Sequence, residues 1–289
     1  NPGLLAGVVF IFSLLMGSFF NVVIYRLPLM MHLEWMESAR DFSRDTWGHI
    51  PSPLDKHPEK FPLAPFNLAT PASRCPHCGH QIRWYENVPV ISWLMLRGKC
   101  SQCKAAISIR YPLIEFVTAA LSAFVAYRMG LGWPMAFALI LTWSLICLTM
   151  IDFDYKLLPD QINLPLLWLG LLINLNGTFT TLPEAVIGAA TGYLSLWSIY
   201  WIFKLTTGKE GMGYGDFKLL GALGAWMGWK VLPVIILLSS LVGSIIGVSM
   251  IVFLGRDRQI PIAFGPYLAI AGWIAFFWGP DIMHRFFHF

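Results

Sequence analysis

The chain has 289 residues, 56% hydrophobic and only 12% charged, with 13 Trp and 21 Phe. Soluble domains carry about 25% charged residues, so this composition excludes an ordinary water-soluble globule and makes a bilayer the expected solvent. In chain order, largely uncharged runs cover 2–25, 112–130, 133–151, 162–174, 182–203, 217–229, 232–254 and 262–278. A membrane helix needs roughly 20 apolar residues. Six runs meet that length, while 162–174 and 217–229 are short enough to be tilted, broken or re-entrant. The chain therefore reads as an all-α polytopic membrane protein of about eight transmembrane helices, with seven or six as alternatives. The first run lacks a basic leading region and ends in Tyr25-Arg26-Leu27-Pro28 rather than a small-residue cleavage site, so it reads as a retained anchor.

Between the first two runs lies the one sizeable hydrophilic stretch, 26–111. Its first part carries Glu34, Glu37, Asp41 and Asp45 without clean periodicity, and 29–70 reads as a solvated loop. Two Cys-x-x-Cys pairs follow, Cys75-Pro76-His77-Cys78 and Cys100-Ser101-Gln102-Cys103, separated by 21 residues. This spacing resembles a zinc ribbon. Four thiolates would close a tetrahedral shell around Zn²⁺ with no position left for water, a structural rather than catalytic site. Disulfides or a redox dithiol are the alternatives, disfavoured in a reducing compartment. Cys147 lies inside an apolar run and reads as packing. The expected organisation is a first membrane helix over 1–25, a zinc-binding insert over 26–111 and a membrane domain over 112–289.

Charge placement sets the orientation. With eight spans, only Arg128, Lys230 and Arg285 of the 20 Lys and Arg fall on the side holding the termini, leaving 17 on the other. That second side, which carries the insert, should face the cytoplasm. Asp152 ends the third run within Asp152-Phe153-Asp154-Tyr155-Lys156-Leu157-Leu158-Pro159-Asp160, and Asp216 opens the sixth within Gly213-Tyr214-Gly215-Asp216. Both fall on the cytoplasmic side. An ionisable residue near bilayer depth is costly and is functional by default. Like charges at close range cannot both ionise, so such a pair shares one proton and is able to activate water. Gly213 and Gly215 would let backbone approach a substrate and take positive φ. The competing reading makes Asp216 a helix cap and Asp154 and Asp160 solvated interfacial acids.

In this order the motifs resemble the type IV prepilin peptidases, or leader peptidase/N-methyltransferases. The resemblance spans nearly the whole chain. It rests on Gly17-Ser18-Phe19-Phe20-Asn21 through Arg26-Leu27-Pro28, the paired Cys motifs, Glu86-Asn87-Val88-Pro89, Ser92-Trp93-Leu94, and Leu96-Arg97-Gly98-Lys99-Cys100. It continues through the Asp152 segment and Gly213-Tyr214-Gly215-Asp216-Phe217-Lys218. The resemblance implies an intramembrane aspartic protease of the GxGD type in the bacterial inner membrane, with Asp152 and Asp216 as the catalytic pair. It implies prepilins and type II secretion pseudopilins as substrates. Their basic leader would be cut after a glycine at the cytoplasmic face, and the new N-terminal residue then methylated with S-adenosylmethionine. It links Gly98 to methylation, with Cys75, Cys78, Cys100 and Cys103 as zinc ligands. Membrane lipid is an expected partner; nucleic acid is not. The alternatives are a peptidase without methylation and a proton-coupled transporter using the same aspartates, which would show flux and no cleavage.

Overall fold

Asn1 caps the first helix through its side-chain oxygen, 3.1 Å from the Gly3 N–H, and Pro2 occupies the first helical position, where its missing N–H costs nothing. The helix it starts does not stop at residue 25. In the computed structural model, which describes residues 1–49, 66–255 and 263–287, α1 runs Pro2–Trp47 through Pro28 and ends on Gly48 in the left-handed conformation. The stretch 29–47 is therefore helix rather than loop, 66–70 is irregular as expected, and 50–65 lies outside the described residues. Arg26 anchors the helix just before Pro28. Its buried guanidinium donates to the carbonyls of Asn67, at 2.9 Å, and Pro71, at 2.6 Å, tying α1 to the insert.

Two units make up the chain, Asn1–Gly130 and Leu131–Phe289. In the first, α1 lies along α3 (Arg110–Met129), with a short α2 (Ile91–Met95) inside the insert. The α1 positions buried against its neighbours are Val9, Ser13, Gly17, Phe20 and Ile24, the spacing of one helical face. Gly17 is the point of closest approach. A Cβ there would stand 2.7 Å from the Glu115 Cα, so any larger residue forces the helices apart. The opposite face exposes Leu4, Val8, Ile11, Phe12 and Leu15. A helix apolar on every side belongs in lipid.

The second unit consists of α4 (Trp133–Tyr155), α5 (Asp160–Ile173), α6 (Leu182–Thr207), α7 (Tyr214–Met227), α8 (Leu232–Leu254) and α9 (Gly265–Phe287). Its centre is α7. Every residue from Phe217 to Trp226 except Lys218 is buried, which only a helix surrounded by others achieves. Small residues allow this. Gly188 and Gly192 of α6 meet the backbone of Gly224 and of Leu220 and Gly221, the small-residue contact of membrane helices. Gly170 of α5 receives the Trp226 ring, whose Nε1–H donates to the Leu166 carbonyl at 2.8 Å. Asn174, fully buried, closes the far end. Its amide donates to the carbonyls of Ala225 and Trp226, and its oxygen accepts from the N–H groups of Phe179 and Thr180. All four of its hydrogen bonds are made, as a buried amide requires.

Five helical segments among the described residues are long and apolar enough to cross a membrane: Pro2–Trp47, Arg110–Met129, Trp133–Tyr155, Leu182–Thr207 and Trp229–Phe253. The two runs noted as short in the sequence fold as α5 and α7, each of 14 residues. At 1.5 Å per residue each spans about 21 Å, less than the roughly 30 Å of a hydrocarbon core. Along α8, Leu237, Leu241, Ile245, Val248 and Val252 form an exposed apolar stripe, the outward counterpart of a buried face.

Candidate active site and metal centre

Asp152 sits near the C-terminus of α4 with 5% of its surface exposed. Its backbone carbonyl accepts from Lys156, the residue that ends the helix in the left-handed conformation. Its carboxylate Oδ2 accepts from the Gly265 N–H at 3.0 Å. Gly265 is the first residue of α9, so Asp152 satisfies one of the donors that a helix N-terminus leaves unpaired. Sequence reasoning missed Gly265. Its signal was the Gly265-Pro266 pair, since a proline beside a helix start marks an N-terminus.

Asp216 lies in the first turn of α7, 7% exposed, and the Gly213 N–H reaches back to its carboxylate. Its Oδ1 is buried and has no hydrogen-bond partner among the described protein atoms. The helix is capped at Gly213 and not, as the competing reading had it, by Asp216, which takes the N–H of that cap residue from inside the first turn and leaves one oxygen uncommitted. Asp152 and Asp216 stand near enough for their charges to interact. Leu158 holds the two sides together. A Cβ on Gly215 would lie 2.7 Å from the Leu158 Cβ, and one on Gly265 would lie 2.7 Å from Asp152 Oδ2 and 3.1 Å from Leu158 Cδ1. Positive φ plays no part at Gly213 or Gly215. Gly215 is required by the crowding of Leu158, which corrects the conformational reason expected from sequence.

Asp160, which the competing reading made a solvated interfacial acid, is half-exposed and also ion-paired. Lys218 donates to its two carboxylate oxygens at 2.8 and 2.7 Å, joining the first turn of α5 to the first turn of α7, two residues past Asp216. The loop entering α7 is also fixed. Lys204 bridges to Glu210 at 2.8 Å while Tyr200, whose hydroxyl donates to the same carboxylate oxygen, packs on Tyr214. Two buried carboxylates near enough to feel each other's charge, each beside a helix terminus, would be able to share a proton and activate water.

In the first unit the four cysteines converge, all four sulfurs lying within 4.8 Å of one another. The Cys75–Cys103 and Cys78–Cys100 sulfur distances are 3.7 and 4.0 Å. Zn–S bonds of about 2.3 Å in a tetrahedron put sulfurs about 3.8 Å apart, so the donor set fits such an ion. The two knuckles are built alike. Cys75 N–H donates to His80 O at 2.8 Å, and Cys100 N–H to Ala105 O at 2.8 Å. Gly79 and Lys104 occupy matching left-handed positions. N–H groups of Cys78 and His77 hold the Cys75 thiol down at about 6, and those of Cys103 and Gln102 lower Cys100. At Cys103 the Ala105 N–H acts the same way, but desolvation and the neighbouring sulfurs outweigh it and push the thiol up to about 11. Holding all four as thiolates would require a cation between them.

Gly98 is buried and left-handed, with the Trp93 ring 2.9 Å from where its Cβ would be. Its N–H donates to Trp93 O and its carbonyl accepts from Ile107. The turn that carries Cys100 depends on it. Glu86 accepts from the Arg83 N–H at 2.9 Å, hydrogen-bonds Ser101, and lies 3.0 Å from His80 Nε2; these interactions, the first foremost, hold its carboxyl at about 2.

Residues 11–129 match the family model described as Bacterial Peptidase A24 N-terminal domain, and 139–248 match that of the Type IV leader peptidase family. A relative from Stutzerimonas stutzeri is 55% identical over 96% of this chain and 92% of its own length. Relatives from Aeromonas hydrophila (55%; 97% and 93%) and Pseudomonas aeruginosa (54%; 96% and 91%) are similarly close. All three are named prepilin leader peptidase/N-methyltransferase. No solved structure matches the chain.

Proposed function

Because this chain belongs to the type IV leader peptidase family, we propose that it removes the basic leader of prepilins and pseudopilins and then N-methylates the exposed residue. Cleavage is assigned to Asp152 and Asp216. The observation that carries this is their pairing in a buried setting, with Asp216 Oδ1 left without a protein partner. One carboxylate takes a proton from water while its protonated neighbour polarises the scissile carbonyl; the first then passes that proton to the leaving amine as the C–N bond breaks, and the pair keeps the single proton it began with. The Gly265 N–H holds Asp152 in one orientation. The Asp160–Lys218 pair holds the turn bearing Asp216.

The site belongs at the cytoplasmic face of the inner membrane, where the bulk of Lys and Arg is placed and where a basic leader is retained. A prepilin anchored by its own apolar helix would bring its scissile bond to that interface. Zinc, held by Cys75, Cys78, Cys100 and Cys103, would be structural, since four thiolates leave no open coordination position. S-adenosylmethionine supplies an activated methyl group when bound. Methylation follows cleavage because the acceptor amine does not exist before it.

Intact-mass analysis of a purified prepilin tests the reading. Wild-type protein should remove the leader and, with S-adenosylmethionine, add about 14 Da, the increment of one methyl replacing a proton. Asp152→Asn and Asp216→Asn should each abolish leader removal. Absence of cleavage by the folded, zinc-loaded wild type on several prepilins would end the protease assignment.

A further inference from the structure

The insert contains a cavity of about 450 Å³, within the range of small-ligand sites. Three elements form its walls. The turn Trp84–Asn87 brings Tyr85 and Glu86, α2 brings Met95, and the second cysteine knuckle brings Ser101 and Gln102. Arg83 completes it.

The wall chemistry is mixed in a particular way. Arg83 presents a guanidinium whose Nη1 donates to the Tyr85 hydroxyl at 2.6 Å. That bond uses one of five N–H donors, and the fork geometry suits a carboxylate. Glu86 supplies a carboxylate with its side chain only 10% exposed, locked by the Arg83 N–H, His80 and Ser101. Tyr85 and Met95 supply apolar surface and are 47% and 78% exposed. An aromatic face beside a polarizable thioether is a platform for a flat heteroaromatic ring. A single arginine facing an apolar platform, with His80 held against Glu86 at 3.0 Å, does not suit a polyphosphate, which needs several cations free to meet it. Arg83, Glu86 and the platform together suit a ligand with a carboxylate, a positive centre and an aromatic base.

We infer that this cavity binds S-adenosylmethionine, with Arg83 toward the ligand's carboxylate, Glu86 toward its positively charged end, and Tyr85 and Met95 against the adenine. The inference rests on the reading that the chain methylates its product. It gives the cysteine knuckles a task in that reaction. Ser101 and Gln102 lie between Cys100 and Cys103, so the ligand set that shapes the knuckle also shapes one wall of the cavity. Gly98 acts from behind. It is not a wall residue, and its left-handed turn against Trp93 sets the path from α2 to the knuckle.

The test is ultraviolet crosslinking of methyl-labelled S-adenosylmethionine to the full-length, zinc-loaded protein in detergent. Peptide mapping is paired with equilibrium binding to wild type, Arg83→Ala and Tyr85→Ala. The expected result is label within residues 80–102 and at least a tenfold rise in Kd for each variant, with Arg83→Lys recovering part of the loss. Label confined to another segment, or both variants binding like wild type while wild type binds and methylates, overturns the cavity alone. A wild type that cleaves prepilin but neither binds the cofactor nor adds a methyl overturns the methyltransferase reading and the cavity with it. The crosslink map is made on wild type, so it decides even where a variant loses its zinc.

Discussion

At Gly265 a single hydrogen atom in place of a methyl group decides whether Asp152 keeps its hydrogen bond. A Cβ would lie 2.7 Å from Asp152 Oδ2, so Gly265→Ala must move either the carboxylate or the start of α9. Small displacements of reacting groups cost about a hundredfold in rate. The variant is expected to lose at least tenfold in kcat for leader removal while remaining folded. Gly7→Ala, with nothing within 4 Å of the new atom, is expected to match wild type. Equal rates for the two variants would refute the orienting role of the Gly265 N–H. The Asp160–Lys218 pair is a weaker constraint, because the side chains are 48% and 30% exposed and water screens them. A double-mutant cycle on thermal stability should return about 0.5–1 kcal/mol of coupling; a value near zero would mean the bidentate contact holds nothing in place.

Between elements, the α6–α7 seam is where glycine is indispensable. Gly188 and Gly224 place backbone against backbone, and neither helix can withdraw without opening the packing around Trp226. Gly188→Ala and Gly224→Ala should each cost about 1–3 kcal/mol, the usual penalty of overpacking. Because both relieve the same contact by separating the helices, the double variant should cost clearly less than the sum. Denaturation in detergent measures this; strict additivity would show that the two positions do not share a contact. The short length of α7 follows from its place at the centre. Its outer turn carries Asp216, and its inner end is closed by Asn174.

For the whole molecule, the two units have different sources of stability. Leu131–Phe289 has a continuous apolar core, including Leu141, Leu148, Phe217, Leu223 and Trp226. Among the described insert residues, the knuckles rest on isolated bridges, Arg74–Gln81 and Lys99–Ala106, and on the four sulfurs. Such a region would depend on a metal held between those sulfurs. Stripping zinc with a chelator should speed amide exchange over 75–106 by at least tenfold and leave 217–226 protected. Unchanged exchange over 75–106 would rule out a structural metal.

Much of this was legible in the residues themselves. Membrane character, the helical elements, both cysteine knuckles and the two aspartates depend on composition or local spacing, which survive without a fold. The span of α1 past Pro28 was not legible, because a proline inside a run ordinarily reads as a helix end, and the anchoring of Arg26 on Asn67 and Pro71, 41 and 45 residues away, leaves no local pattern. Gly265 was missed for the same kind of reason, since its partner Asp152 is 113 residues distant. The glycines of the GxGD segment were foreseen, but their cause was Leu158 crowding Gly215 rather than backbone freedom. Sequence alone determined which chemical groups the chain carries and in what solvent. Tertiary structure decided which of them touch, because contacts between distant segments are set by packing that no local pattern encodes.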